Sequence, residues 1–139
     1  QETEPKNSKV NLLEFDNKFR LVSEAGGKVE SDFKGFALIN DFCATKNYGV
    51  FFQPNIKANG MKYMIEKEPG KALSVTDGPV QIHLVPRPGS SRKEVTFTIP
   101  ADGSMEANMK VGNAYESGDN ILVDAICSDG SKCSCSKTQ

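Results

Sequence analysis

Few side chains in this sequence are suited to acid–base, nucleophilic or redox-metal chemistry. The 139-residue chain contains one histidine, His83, within the strand-like run Val80–Val85. Alternation places its imidazole on the face opposite Val80, Ile82 and Leu84, which is more typical of a structural residue than of a ligand. One histidine does not make a redox iron centre, and no Ser-His-acid set is possible unless His83 supplies the base.

Three of the four cysteines crowd the C-terminus as C-x5-C-x-C: Cys127, Cys133 and Cys135. Zinc sites normally use closer cysteine pairs and four ligands, so metal binding is the weaker interpretation. A disulfide from Cys127 to Cys133 or Cys135 would indicate an oxidising compartment, and unpaired thiols fit equally well. Cys43, in a predicted strand, is interpreted as a small core residue.

The carboxylates of Asp41, Glu116 and Asp124 could be considered for acid–base work. Glu116 and Asp119, however, fall in a predicted turn. Asp41 and Asp124 are expected to accept hydrogen bonds from neighbouring backbone. The carboxylates therefore indicate structure rather than catalysis.

Period-two alternation of apolar residues runs through the chain and predicts an all-β fold of antiparallel strands and hairpins. The expected pairs are Phe19–Leu21 with the strand at Val29, Phe36–Phe42 with Tyr48–Phe52, Val80–Leu84 with Val95–Ile99, and Asn113–Tyr115 with Ile121–Cys127. We expect a polar N-terminal extension over residues 1–17, a β domain over 18–127 and a Cys- and Ser-containing tail over 128–139.

Charge and hydropathy exclude some partners. Lys plus Arg total 17 against 18 Asp plus Glu, a formal net charge of -1, which gives no basic field for nucleic acid. No run approaches the roughly 18 apolar residues of a spanning helix, so the chain is predicted not to be transmembrane, although it could be peripheral to a membrane complex. The polar start Gln1–Lys9 is interpreted either as a mature end left after removal of a targeting segment or as an artificial boundary of the sequence.

Three segments in order resemble one known family, the carotenoid cleavage oxygenases. Ile39–Tyr48 (INDFCATKNY) followed by Phe52-Gln53-Pro54 is similar to the family's His-Asp-Phe strand. Val80–Arg87 (VQIHLVPR) resembles its apolar strand ending in Pro-Arg. Asn113–Asp124 resembles its block Phe-His-x-x-Asn-Ala-Tyr-Glu, a short turn, and an apolar strand ending in Asp.

The resemblance implies a seven-bladed β-propeller of four-stranded blades, with iron held on the axis by four histidines and a carotenoid tunnel above it. A blade takes about 40 to 50 residues, so this chain holds two to three blades' worth. We expect an open partial propeller, or a rearranged small sandwich or barrel.

The departures from the family pattern concern the metal. Asn40 stands at the ligand position of His-Asp-Phe, and Lys110 stands at the ligand position three residues before Asn113. An amide is a poor ligand for ferrous iron, and a protonated lysine offers no lone pair. The resemblance therefore implies a chain that is not an enzyme and has no metal site at these positions.

The resulting expectation is a non-catalytic structural or interaction subunit that docks through exposed β edges onto a larger assembly, such as a pigment–protein complex. By analogy with the family, we expect an algal or plant photosystem-antenna complex in a plastid, in or near the thylakoid lumen, with a secreted or lumenal compartment as the alternative. The alternative function is a module that binds a carotenoid or apocarotenoid without cleaving it; apart from that pigment, no cofactor is expected. Its apolar pocket would be lined by Phe36, Phe42, Phe51, Phe52 and Phe97.

Overall fold

The structure is a computed structural model that describes residues 7–39, 41–58, 64, 65, 67, 73–75, 78–100 and 110–126. Its strands are β1 (Ser8–Leu13), β2 (Lys28–Phe33), β3 (Phe42–Ala44), β4 (Tyr48–Gln53), β5 (Ile56–Ala58), β6 (Leu73–Val75), β7 (Val80–Pro86), β8 (Val95–Ile99), β9 (Lys110–Ser117) and β10 (Asn120–Ile126). A 3-10 helix at Glu24–Gly27 precedes β2. Every strand pairing is antiparallel, so the all-β prediction is confirmed.

A four-stranded sheet in the order β3-β4-β7-β8 forms the centre of the fold. Strand β4 is buried from Gly49 to Gln53, because both faces of the sheet are covered. The pair β1–β2 contributes Leu12 and Phe33 to a core cluster with Phe51 and Val85 on one face. The pair β9–β10 packs its apolar side chains against Val50, Phe52, Val80 and Leu84 on the other face. The result is three β layers with two cores.

The layers have two distinguishable ends. Residues 14–24, 45–47, 87–90 and 117–119 connect strands at one end, which we call the turn end. Arg87 N donates to the carbonyl oxygen of Asn47 there, at 2.8 Å. The start of β3 and the start of β9 lie at the opposite end, which we call the Lys110 end.

Two of the predicted hairpins are confirmed. Strand β7 pairs with β8, with Ile82 opposite Phe97, and β9 pairs with β10, with Tyr115 opposite Leu122. Strand β4 also forms as predicted. These segments were predictable because each is a short alternating or continuous apolar run bounded by turn-forming residues.

The N-terminal predictions are wrong. Strand β1 lies within the segment predicted as a polar extension, and it pairs with β2, with Leu12 opposite Val29. Phe15 and Leu21 form only an isolated bridge in the intervening loop. The pairing was missed because the apolar residues of SKVNLL (8–13) are few, and their burial depends on the central sheet.

The predicted strand Phe36–Phe42 is also wrong over most of its length. Strand β3 begins only at Phe42, and Ala37 and Ile39 pack against the core cluster of Leu12 and Phe33 without joining a strand. The small antiparallel pair β5–β6 forms a separate two-stranded sheet, with Lys57 opposite Ser74. Burial against a neighbouring layer, rather than alternation, fixes the path of residues 34–39.

Candidate functional site

At the Lys110 end, one carboxylate joins the two segments that carry the predicted ligand positions. Asp41 Oδ1 accepts a hydrogen bond from Phe42 N at 3.0 Å, and its Oδ2 accepts one from Val111 N at 2.9 Å. The bond to its own neighbour was expected; the bond across 70 residues was not. Lys110 is the first residue of β9 and is exposed, while Asn40 lies outside the described residues.

The residue types at positions 40 and 110 do not fit a catalytic iron. A lysine ammonium repels a divalent cation, and an asparagine side chain offers an amide oxygen where the resembling family has an imidazole nitrogen. Among the described residues, no group of three or more His, Cys, Asp or Glu side chains could hold a metal ion. Cys43, two residues beyond Asp41, has its thiol pKa raised by burial, which disfavours the metal-binding thiolate.

The side chain of His83 is buried in the core, on the face of the central sheet that points away from β9–β10. Its ring stacks on Phe33 with centroids 3.6 Å apart and planes 7° apart. Gln53 Nε2 donates to the Lys34 carbonyl at 2.8 Å, which turns Gln53 Oε1 towards His83 Nε2, 2.7 Å away. His83 Nε2 therefore donates, and Nδ1 accepts from the Thr96 hydroxyl at 3.0 Å.

Burial lowers the pKa of His83 to about 4, so the ring is neutral at neutral pH. Both ring nitrogens are engaged, which leaves no free lone pair for a metal. The placement of His83 on the face opposite Val80, Ile82 and Leu84 is confirmed, since these three belong to the other core.

At the turn end, Glu116 forms a hydrogen-bonded clamp between β9 and the β3–β4 turn. Its Oε1 accepts from Thr45 Oγ1 at 2.6 Å and from Asn47 N at 2.8 Å, and its Oε2 accepts from Asn47 Nδ2 at 2.7 Å. The hydrogen bonds from Thr45 and Asn47 lower the pKa of Glu116. Glu116 ends a strand rather than forming a turn, so that part of the prediction is wrong.

Arg87 extends the clamp to the N-terminal layer. Its guanidinium donates through Nε to Glu14 Oε2 at 3.0 Å and through Nη2 to Glu14 Oε1. Nη1 donates to the carbonyl oxygens of Thr45 at 3.1 Å and Lys46 at 3.3 Å. The forked geometry of arginine suits this double contact, and it ties three segments together. The clamp was missed because its partners are 41 to 73 residues apart.

The five phenylalanines proposed as a pigment pocket do not share one site. Phe42 and Phe51 stack on one face of the central sheet, with centroids 5.1 Å apart, whereas Phe52 belongs to the core on the other face. Phe97 follows Phe52 to that face, because it pairs with Ile82 in the register of β7 and β8. That pocket prediction is wrong, because consecutive strand residues point to opposite faces.

Phe36 lines a different hollow, of about 180 Å³, beside Lys34, Gln53 and Gln81. This volume is below the roughly 300 Å³ at which drug-sized ligand sites begin. The disulfide candidates Cys127, Cys133 and Cys135 lie outside the described residues. Along the part of the chain that is described, no helix has the length and apolarity needed to cross a bilayer.

Comparison with known proteins shows that this chain is related to carotenoid oxygenases. The profile of the family described as Retinal pigment epithelial membrane protein matches residues 2–138. The apocarotenoid-15,15'-oxygenase of Synechocystis is 35% identical over 122 residues, which are 86% of this chain and 23% of that enzyme. This chain thus spans about a quarter of the relative's length.

Comparison with solved structures gives the same family relationship. Cobalt-substituted Synechocystis ACO superposes with a TM-score of 0.75 and 29% identity, covering 91% of this chain and 25% of that one. An ACO/RPE65 chimera gives a TM-score of 0.71 at 29% identity with the same coverage. The predicted kinship with a carotenoid oxygenase propeller is confirmed, with this chain matching a partial propeller. With its strand order, its motifs and these matches, the chain belongs to the carotenoid oxygenase family, described as Retinal pigment epithelial membrane protein.

Proposed function

We propose that this chain is a non-catalytic member of the carotenoid oxygenase family that acts as a structural or interaction subunit of a larger assembly. The observation that carries the proposal is the Asp41–Val111 hydrogen bond of 2.9 Å. It joins Asp41, the chain neighbour of Asn40, to Val111, the chain neighbour of Lys110, so the segments that carry the two replaced positions meet. An amide and an ammonium in place of two imidazoles disfavour bound iron.

The only histidine in the sequence cannot take over the missing role without leaving the core. Releasing His83 would break its stack on Phe33 and the hydrogen bonds to Gln53 and Thr96. The proposal therefore concerns the two replaced positions, and it gives Thr45, Asn47 and Glu116, which lie in the motifs that carry the resemblance, a structural role.

An interaction role is supported by the sheet order. Strand β8 ends the order β3-β4-β7-β8, so among the described strands its outer edge is unpaired. Phe97 on this strand is 52% exposed. An edge of this kind can pair with a partner strand, while the exposed ring adds apolar contact. In this proposal the assembly is an algal or plant photosystem-antenna complex in a plastid.

Native fractionation of the source material, with this chain followed by mass spectrometry and iron measured across the fractions, tests the proposal. We expect co-migration with a larger complex, no stoichiometric iron, and no oxygen-dependent cleavage of an apocarotenoid. The Synechocystis apocarotenoid oxygenase, carried through the same metal and activity assays, is the positive control. One iron per chain together with cleavage would refute the non-catalytic proposal, and migration as a free chain would refute the subunit proposal.

A matched pair of variants tests whether the chain docks through the outer edge of β8. Phe97 on β8 and Phe42 on β3 are exposed to similar degrees, 52% and 50%. We expect Phe97→Ser to release the chain from its complex and Phe42→Ser to leave it bound, with thermal unfolding measured for both. Equal release by the two variants at equal stability would contradict docking through β8.

A further inference from the structure

Strand β8 lacks the features that normally keep an exposed sheet edge from pairing with another strand. Such edges are usually protected by a charged side chain, a proline or a β-bulge. Residues Val95–Ile99 (VTFTI) contain no charge and no proline, and their register against β7 runs without a shift. Among the described strands, nothing pairs with the outer edge of β8, so its backbone is open to a further strand.

The other edge of the same sheet is better protected. Strand β3 has only three residues, Phe42–Ala44. Asp41, immediately before it, accepts a hydrogen bond from Val111 N at 2.9 Å, so the start of β9 lies beside this edge. A partner strand therefore finds more free backbone along β8 than along β3.

The sequence of β8 is complementary to itself in one antiparallel register. When Phe97 lies opposite Phe97 of a second copy, Thr96 lies opposite Thr98 and Val95 lies opposite Ile99. Directly opposite residues share a face, so the apolar side chains line one face and the threonines line the other. A slip of one residue would oppose threonines to apolar residues, and a slip of two would leave fewer residues paired.

Phe97 gives this register an apolar centre. Its side chain is 52% exposed, while Val95 and Ile99 on either side of it are half-buried. In the self-complementary register the two Phe97 rings meet at the two-fold axis, where each is removed from water. Cross-strand aromatic pairs of this kind stabilise antiparallel sheets.

The charges beside β8 are also compatible with a second copy. Arg92 and Lys93 precede the strand, and Glu94 Oε2 accepts a hydrogen bond from Ser31 Oγ at 2.6 Å. Antiparallel pairing about Phe97 puts the cations of the two copies at opposite ends of the ladder, roughly 30 Å apart at about 3.4 Å per residue. This separation exceeds the Debye length of about 8 Å at physiological salt, so their repulsion is screened.

We propose that the partner of the β8 edge is a second copy of this chain, paired antiparallel through β8 about a two-fold axis at Phe97. The two four-stranded sheets then form one continuous sheet. The inference rests on the docking through β8 in the proposed function and names its partner, so that the chain enters its assembly as a pair. A standard interface has roughly 20 to 30 residues on each side, whereas this ladder has five, so the association is weak and depends on concentration.

Analytical ultracentrifugation of the full chain over a range of concentrations tests the inference. We expect the mass to rise with concentration from 15.1 kDa towards twice that value. Phe97→Lys and Phe97→Glu should each weaken association at least about tenfold, because like charges then meet at the two-fold axis. An equimolar mixture of the two variants should associate again, because a lysine then lies opposite a glutamate.

Phe42→Lys is the matched control, since Phe42 on β3 is 50% exposed and its replacement should leave association unchanged. Thermal unfolding should show that all three variants are folded, because both positions are exposed. The inference is overturned if the unaltered chain stays at 15.1 kDa at millimolar concentration, if Phe42→Lys weakens association as much as Phe97→Lys, or if the mixed variants fail to associate.

The same variants separate this inference from the proposed function. A monomeric chain that still co-migrates with a larger complex through Phe97 would overturn the second copy as the partner and leave the subunit proposal standing. A chain that pairs through Phe97 but migrates free of any larger complex would support the inference and refute the subunit proposal.

Discussion

The two ends of the central sheet carry parts of the same family resemblance, yet the structure uses them differently. At the turn end, Thr45, Asn47 and Glu116 form a clamp in which each carboxylate oxygen is hydrogen-bonded. At the Lys110 end, Lys110 is exposed at a position where the resemblance expects a metal ligand. Under the proposed function, residues that support the strand layers are kept where residues suited to metal chemistry are not.

The largest effect is expected at the clamp. Glu116→Ala leaves the hydroxyl of Thr45, which is 5% exposed, and the amide of Asn47 without their carboxylate acceptor. We expect a loss of about 2 kcal/mol in the free energy of unfolding, measured by urea denaturation. Asp119→Ala, which removes an exposed acid three residues later, is the control and should change little. Equal losses for both variants would mean that the clamp does not support the fold.

Acid sensitivity between pH 7 and 5 should come from the core rather than from either end. Because the pKa of His83 falls from 6.5 to about 4 on folding, the unfolded chain binds the proton more readily. The contribution of His83 to stability is therefore full above pH 6.5, falls as the pH drops towards 4 and changes no further below it, with a loss of about 1–2 kcal/mol between pH 7 and 5.

Denaturation midpoints measured across this pH range check the prediction. His83→Gln should flatten the curve between pH 7 and 5, where the carboxylates are still largely ionised. An unchanged slope in that variant would assign the acid sensitivity to another group.

The smallest effect is expected at the Lys110 end. Lys110→Ala removes an exposed side chain at the start of β9 and should change the free energy of unfolding by less than about 0.5 kcal/mol. The Asp41–Val111 hydrogen bond uses the backbone amide of Val111, so the substitution leaves it in place. A loss as large as that of Glu116→Ala would remove the contrast between the two ends.

The sequence predicted more of the fold than of the polar network. Pairs β7–β8 and β9–β10 follow from short apolar or alternating runs separated by turn-forming residues, which are local signals. Strand β1 was missed because Leu12 becomes buried only when Phe51 and Val85 are placed opposite it. Alternation also predicted the face of His83, but not its stack on Phe33.

For the candidate site, the sequence by itself determined the chemistry that two positions offer. Residue types at 40 and 110 fix an amide and an ammonium, and a single histidine limits any imidazole-based metal site. Tertiary structure decided which residues meet: Asp41 with Val111, Glu116 with Thr45 and Asn47, and His83 with Gln53. It also placed Phe51 and Phe52 in different cores. The physical reason is that donor chemistry belongs to each side chain, whereas contacts between distant segments arise from packing of the β layers.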